Sequence, residues 1–123
     1  MTRQEVDEAA RQRKNLASAD LSGLDLSGLD LNHADLHGAD LRRANLRDVN
    51  LSEADLRGAD LREADMAWAD LQFAGLSGAN LTGAIVHLTP ENVEALVRAG
   101  SFAAIFSGIF DRSKIAHGEE VEP

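Results

Sequence analysis

Cysteine is absent from the 123-residue chain, aromatic residues make up 4% of it, and Lys and Arg number 12 against 21 Asp and Glu. Each shortage closes something off. Without cysteine there is neither a disulfide nor a thiolate metal site. With so few aromatics and so much Leu and Ala, the core must be thin, with no deep cavity for a small molecule. The formal net charge of −9 argues against direct binding of nucleic acid. The opening residues, MTRQEVDEAARQRKN, hold no apolar stretch of the kind a signal peptide or membrane anchor needs, so a cytoplasmic location is expected. His33, His37, His87 and His117 show no ligand spacing, no loop has the pattern that cradles phosphate, and the serines lack a nucleophile motif. No catalytic, cofactor-binding or metal-binding residue is assigned, and the chain is expected not to be an enzyme.

What is present is a repeat. The stretch ADLRGADLREADMAWADLQFAGL, residues 54–76, returns on itself every five residues, a period that fits neither helix nor strand. About fourteen consecutive units centre on Leu16, Leu21, Leu26, Leu31, Leu36, Leu41, Leu46, Leu51, Leu56, Leu61, Met66, Leu71, Leu76 and Leu81. Two residues before each centre stands a small apolar residue, usually Ala, with Leu24, Leu29 and Val49 as larger variants and Lys14 as the exception. Asp or Asn precedes every centre except Leu76, where Gly75 stands instead. The two positions after the centre accept almost any residue.

This pattern has a physical reading if the chain turns a corner every five residues. The centre and the small residue then point inward and the other three face water. Four corners close a square coil of about twenty residues, coils stack at about 4.8 Å, and the column is about three and a half coils, or about 17 Å, tall. Burying each Leu contributes on the order of 1.5–3 kcal/mol toward the ordering entropy of such a chain. Asp and Asn serve the turns by bonding the main chain.

The tandem A(D/N)LxG units resemble the pentapeptide repeat family over residues 15–88, with Ile85 and Val86 as a degenerate last unit. The resemblance implies an all-β solenoid, a right-handed quadrilateral β-helix, here with short helical caps at both ends. Solenoids need their ends covered. Residues 1–14 read as an N-terminal helical cap with Thr2 and Glu5 as a capping box and Val6, Ala9, Ala10 and Arg13 on one face. Residues 89–100 read as a C-terminal capping helix: Thr89 at the N-cap, Pro90 first, Glu91 near the positive end, Gly100 as the stop, and Val93, Leu96 and Val97 inward. Residues 113–123 read as a flexible acidic tail.

Between them lies an apolar segment, 101–112. Phe102, Ile105, Phe106, Ile109 and Phe110 stand at helical spacings and include three of the chain's four Phe residues. The segment either folds back on its own column or forms a homodimer interface; membrane contact is disfavoured by a short stripe poor in flanking Lys and Arg. Trp68 and Phe73 occupy the same outward position of neighbouring units, so they are either covered by the C-terminal segment or anchor a protein partner. Arg42, Arg43, Arg47, Arg57 and Arg62 gather in the middle coils. They either neutralise the Asp ladders, with Arg43 facing Glu63 across one coil, or form a patch for an anion or an acidic partner.

Two functions follow. The first is a non-enzymatic scaffold or protein-interaction module. The alternative is a DNA mimic that binds DNA gyrase, as the resemblance implies for some members that protect gyrase from quinolones. Against the alternative stand centres of Leu rather than a mixture rich in Phe, the absence of loops and the short column, equivalent to about five base pairs; a head-to-head dimer through 101–110 would roughly double it. Residues 15–88 carry five Arg against twelve acids, so the negative surface is broken up.

Overall fold

The computed structural model describes residues 1–13 and 15–100 together with a short strand at Ile115–Ala116. Each five-residue unit is one β-turn. The amide three residues past the centre donates to the centre's carbonyl, as from Ala39 to Leu36 and from Ala59 to Leu56, both at 3.0 Å. The third residue of every turn is left-handed: φ is 59–65° at the eight non-glycine residues from Ser18 to Phe73 and 68–74° at the six glycines from Gly23 to Gly83. A positive φ at this place is what a type II turn requires, and only glycine adopts it without a Cβ penalty. The two positions after the centre are therefore not equivalent, although the sequence reading treats them alike.

Asp and Asn lock the corner from the other side. All thirteen that precede a centre accept a hydrogen bond from the amide two residues on. Because the side chain turns back onto its own turn, Asp40, Asn45, Asn50, Asp55, Asp60 and Asp65 are half-buried. This corrects the expectation that three of every five residues face water.

Coils are joined in parallel at intervals of twenty residues. Asp20 pairs with Asp40, Asp25 with Asn45, Asp30 with Asn50 and Asp35 with Asp55, and each of the four ladders continues upward. On the last of these, the Leu36 amide donates to the Asp55 carbonyl at 2.8 Å and the Asp55 amide to the Ala34 carbonyl at 2.9 Å. The centres from Leu21 to Leu71 are fully buried and form one core with the small residues beside them. Two short strands, β1 (Asp65–Met66) and β2 (Ile85–His87), continue the second ladder in parallel register, Met66 opposite Val86. Within the segment expected to be a tail, β3 (Ile115–Ala116) adds a further parallel strand to β2, with Val86 opposite Ile115. It pairs an edge that would otherwise stay open.

Both caps are helical. In α1 (Arg3–Arg11), the Glu5 amide donates to Thr2 Oγ1 at 3.1 Å and the Thr2 amide to Glu5 Oε1 at 2.7 Å. Val6 and Ala9 are buried against the first coil; Arg13 lies past the helix end and is exposed, so it does not share their face. In α2 (Pro90–Arg98), Thr89 caps the start and Gly100, at φ 72°, follows the end. Its buried face is Asn92, Ala95 and Leu96, with Val93 half-buried, whereas Val97 is 46% exposed. The expected inward Val97 is replaced by an inward Asn.

Asn92 has a specific reason to be there. In the coils below, a centre amide donates nineteen residues ahead and the preceding small residue's carbonyl accepts from twenty-one ahead. For Leu71 and Ala69 both rules point to Pro90, which has no N–H and begins a helix. The Asn92 side chain takes the place of that peptide. Its Oδ1 accepts from the Leu71 amide at 2.8 Å, and its Nδ2 donates to the carbonyls of Ala69 at 2.9 Å and His87 at 2.7 Å.

Two substitutions test this account. Gly28→Val adds a Cβ with no atom within 4 Å, so its expected loss of about 1–2 kcal/mol comes from the left-handed backbone alone. Asn92→Leu is expected to cost about 3 kcal/mol by stranding buried backbone groups. Urea unfolding midpoints measure both.

Candidate protein-interaction surface

Trp68 and Phe73 are the third residues of successive turns, where the left-handed backbone throws the side chain outward. They remain 44% and 57% exposed. Each has acquired one neighbour from the C-terminal part of the chain. The His87 ring lies 4.3 Å from the Trp68 ring, tilted by 34°, and the Arg98 guanidinium sits 5.6 Å above Phe73. Arg98 is held there by Glu94, at 2.6 Å one helical turn earlier. Beside Trp68 opens a shallow notch of about 320 Å³ lined by Asp70, Gln72, His87, Thr89 and Glu91. Phe102, Ile105, Phe106, Ile109 and Phe110 lie outside the described residues, and with them the choice between fold-back and self-association.

His87 was not singled out from the sequence beyond its lack of ligand spacing. Its signal was positional, since it stands nineteen residues after Trp68 in a column with a twenty-residue repeat. Its Nδ1 is buried and has no hydrogen-bond partner among the described residues.

All five arginines of the middle coils face carboxylates. Arg42 grips Asp40 with Nε at 2.9 Å and Nη2 at 2.6 Å, and its Nε lies 3.7 Å from Asp60. Arg57 holds Asp55 and Arg62 holds Asp60 in the same two-point manner. Arg43 reaches Glu63 at 3.2 Å across one coil, and Arg47 reaches Asp65 at 3.0 Å. A groove of about 430 Å³ runs along Arg42, Arg43 and Arg62 with Glu63 among its walls. Cations and anions therefore alternate up this face.

In several units the residue just after the centre supplies the side-chain partner of the Asp before it. Where it is Arg, the guanidinium holds the carboxyl below its usual range: Asp40 falls to about 2, chiefly through Arg42, and Asp55 and Asp60 are lowered by Arg57 and Arg62. Where it is Ser, the hydroxyl does the work, as in Ser22 to Asp20 at 2.7 Å and Ser27 to Asp25 at 2.6 Å, and both carboxyls are lowered. Asp35, His37 and Asp55 bring three ligand-type atoms within 4.8 Å of one another. Asp55, however, already gives both oxygens to Arg57, at 2.8 and 2.7 Å, so a metal cation there would meet a guanidinium.

A family model for pentapeptide repeats matches eight copies over residues 15–48 and 50–87. Among solved structures, the chain is similar to a pentapeptide repeat protein, Rfr23, from the cyanobacterium Cyanothece 51142, at 32% identity and a TM-score of 0.51, over 60% of this chain and 54% of that one. It thus spans about half the length of that protein. It is also similar to alr5209 from Nostoc Pcc 7120, at 34% identity, a TM-score of 0.46, and coverage of 80% and 89%. A third likeness is to HetL, from Nostoc sp. strain PCC 7120, at 34% identity, a TM-score of 0.41, and coverage of 60% and 45%. No functionally curated protein matches. Among the described residues, no helix is long and apolar enough to cross a membrane.

The lowered carboxyls make stability depend on acid. In the fold they stay ionised at a pH where the unfolded chain already binds protons, so their contribution is complete above the ordinary Asp range and is lost as pH falls toward 2. The thermal midpoint is expected to be level above about pH 5 and to drop between about pH 4 and 2. Asp40→Asn, which keeps the turn acceptor, should make that drop shallower.

Proposed function

The chain belongs to the pentapeptide repeat family, and on that premise we propose that it is a non-enzymatic protein-interaction module whose coils wind right-handed and whose contact surface is the Trp68 and Phe73 corner beside α2. One observation carries this reading. Two large rings stand exposed on left-handed residues, in a position where six other units have glycine. A bulky side chain in that conformation is disfavoured, and exposed aromatic anchors are what protein interfaces concentrate their energy in. Among the described residues the thin Leu and Ala core is filled by its own buried side chains.

The column's acidic faces support a DNA mimic less well. Mimicry needs a run of unneutralised charge, whereas Arg42 and Arg62 alternate with Asp40 and Asp60 on one ladder and Arg57 covers Asp55 on another. An acidic partner of the arginine face would likewise have to displace carboxylates already in place.

Affinity isolation with the full chain, followed by titration of the isolated partner, tests the reading. Trp68→Ala should weaken binding about 30-fold, or about 2 kcal/mol. An affinity unchanged by both Trp68→Ala and Phe73→Ala would end it.

A further inference from the structure

We propose that the notch beside Trp68 receives a single arginine or lysine side chain from the protein partner, with its cation between Asp70 and Glu91. This rests on the reading that the Trp68 corner is a protein-binding surface. The neighbouring unit supplies the first argument, because Phe73, in the same turn position, already carries a guanidinium of this chain, Arg98, over its ring. Trp68 offers the stronger face for such a contact, yet the ring beside it is His87.

The second argument is charge. Of the nine Asp residues that precede a centre, Asp25, Asp35, Asp40, Asp55, Asp60 and Asp65 have an Arg or His within 4.0 Å, and among the described residues Asp20 and Asp30, like Asp70, do not. Among the described residues neither Asp70 nor Glu91 has such a partner, and both line the notch with Trp68. Asp70 accepts the Gln72 amide at 2.9 Å through Oδ1, which leaves Oδ2 without a partner among the described residues. Two carboxylates next to an aromatic wall fit a side chain with an apolar stem and a cationic head: the stem lies on the indole and the head reaches the acids. A chain of net charge −9 also draws a basic partner in.

Trp68 is the sole tryptophan, so its emission reports the notch directly. The full chain is titrated with acetyl-Gly-Arg-Gly-amide and with the citrulline peptide of the same shape and no charge. The arginine peptide should change the emission saturably and bind at least about fivefold more tightly than the citrulline peptide. Asp70→Asn with Glu91→Gln should abolish that preference; Asn stands at the equivalent place before Leu46, Leu51 and Leu81, so the turn is kept. Equal response to the two peptides, no response to either, or a preference that survives the double substitution overturns the proposal. If Trp68→Ala still weakens the isolated partner while the arginine peptide fails, the surface stands and only its cation is removed.

Discussion

The corner hydrogen bond, from an amide to the Asp or Asn oxygen two residues earlier, is the constraint on which the rest of the structure depends. It fixes the entry to each turn, and the left-handed third residue fixes the exit. Thirteen such bonds hold the chain to a five-residue side, and only then do Leu side chains twenty residues apart stack into a core. The same carboxylates would repel one another up a ladder. Where the residue after the centre is Arg or Ser, as at Arg42, Arg57, Arg62, Ser22 and Ser27, it answers that repulsion locally. Turn chemistry and surface electrostatics are therefore one system, read out by the lowered Asp carboxyls.

The ends obey the same accounting of backbone groups. A coil needs another coil's peptides above it, and where the repeat gives way to helix something must replace them. At the C-terminal end the side-chain amide of Asn92 stands where the N–H and carbonyl of residue 90 would have continued the ladder. At the N-terminal end the Arg3 side chain donates to the Asp25 carbonyl at 3.1 Å. Each helix thus covers apolar side chains and also supplies one polar side chain to the ladder it interrupts.

The proposed interaction surface grows out of this geometry. A turn that throws its third residue outward can display any side chain at a backbone cost, and two successive units spend it on Trp and Phe. α2 and β2 then set a different neighbour beside each ring, a guanidinium at Phe73 and an imidazole at Trp68. The two aromatics are equivalent in the repeat and distinct in their chemistry.

The repeat itself was legible from sequence because its period is covalent: every fifth residue carries Leu or Met, and its small, polar and apolar places follow in fixed order. That determined the inward residues, the twenty-residue stacking and the Arg43–Glu63 pair, while the local Thr2-to-Glu5 spacing determined the capping box. The recurrence of glycine two residues after the centre also held the left-handed turn, but Trp, Phe, Arg and Glu at the same place obscured it. What tertiary structure alone decided lies where the period stops. Whether Val97 or Asn92 faces inward depends on which backbone groups the last coil leaves unpaired, and that depends on the angle at which α2 meets it. Ile115 joins β2 after a gap that no repeat specifies. Arg98 reaches the Phe73 ring from α2, which lies outside the repeat, so that pairing is written in the packing and in no local stretch of the chain.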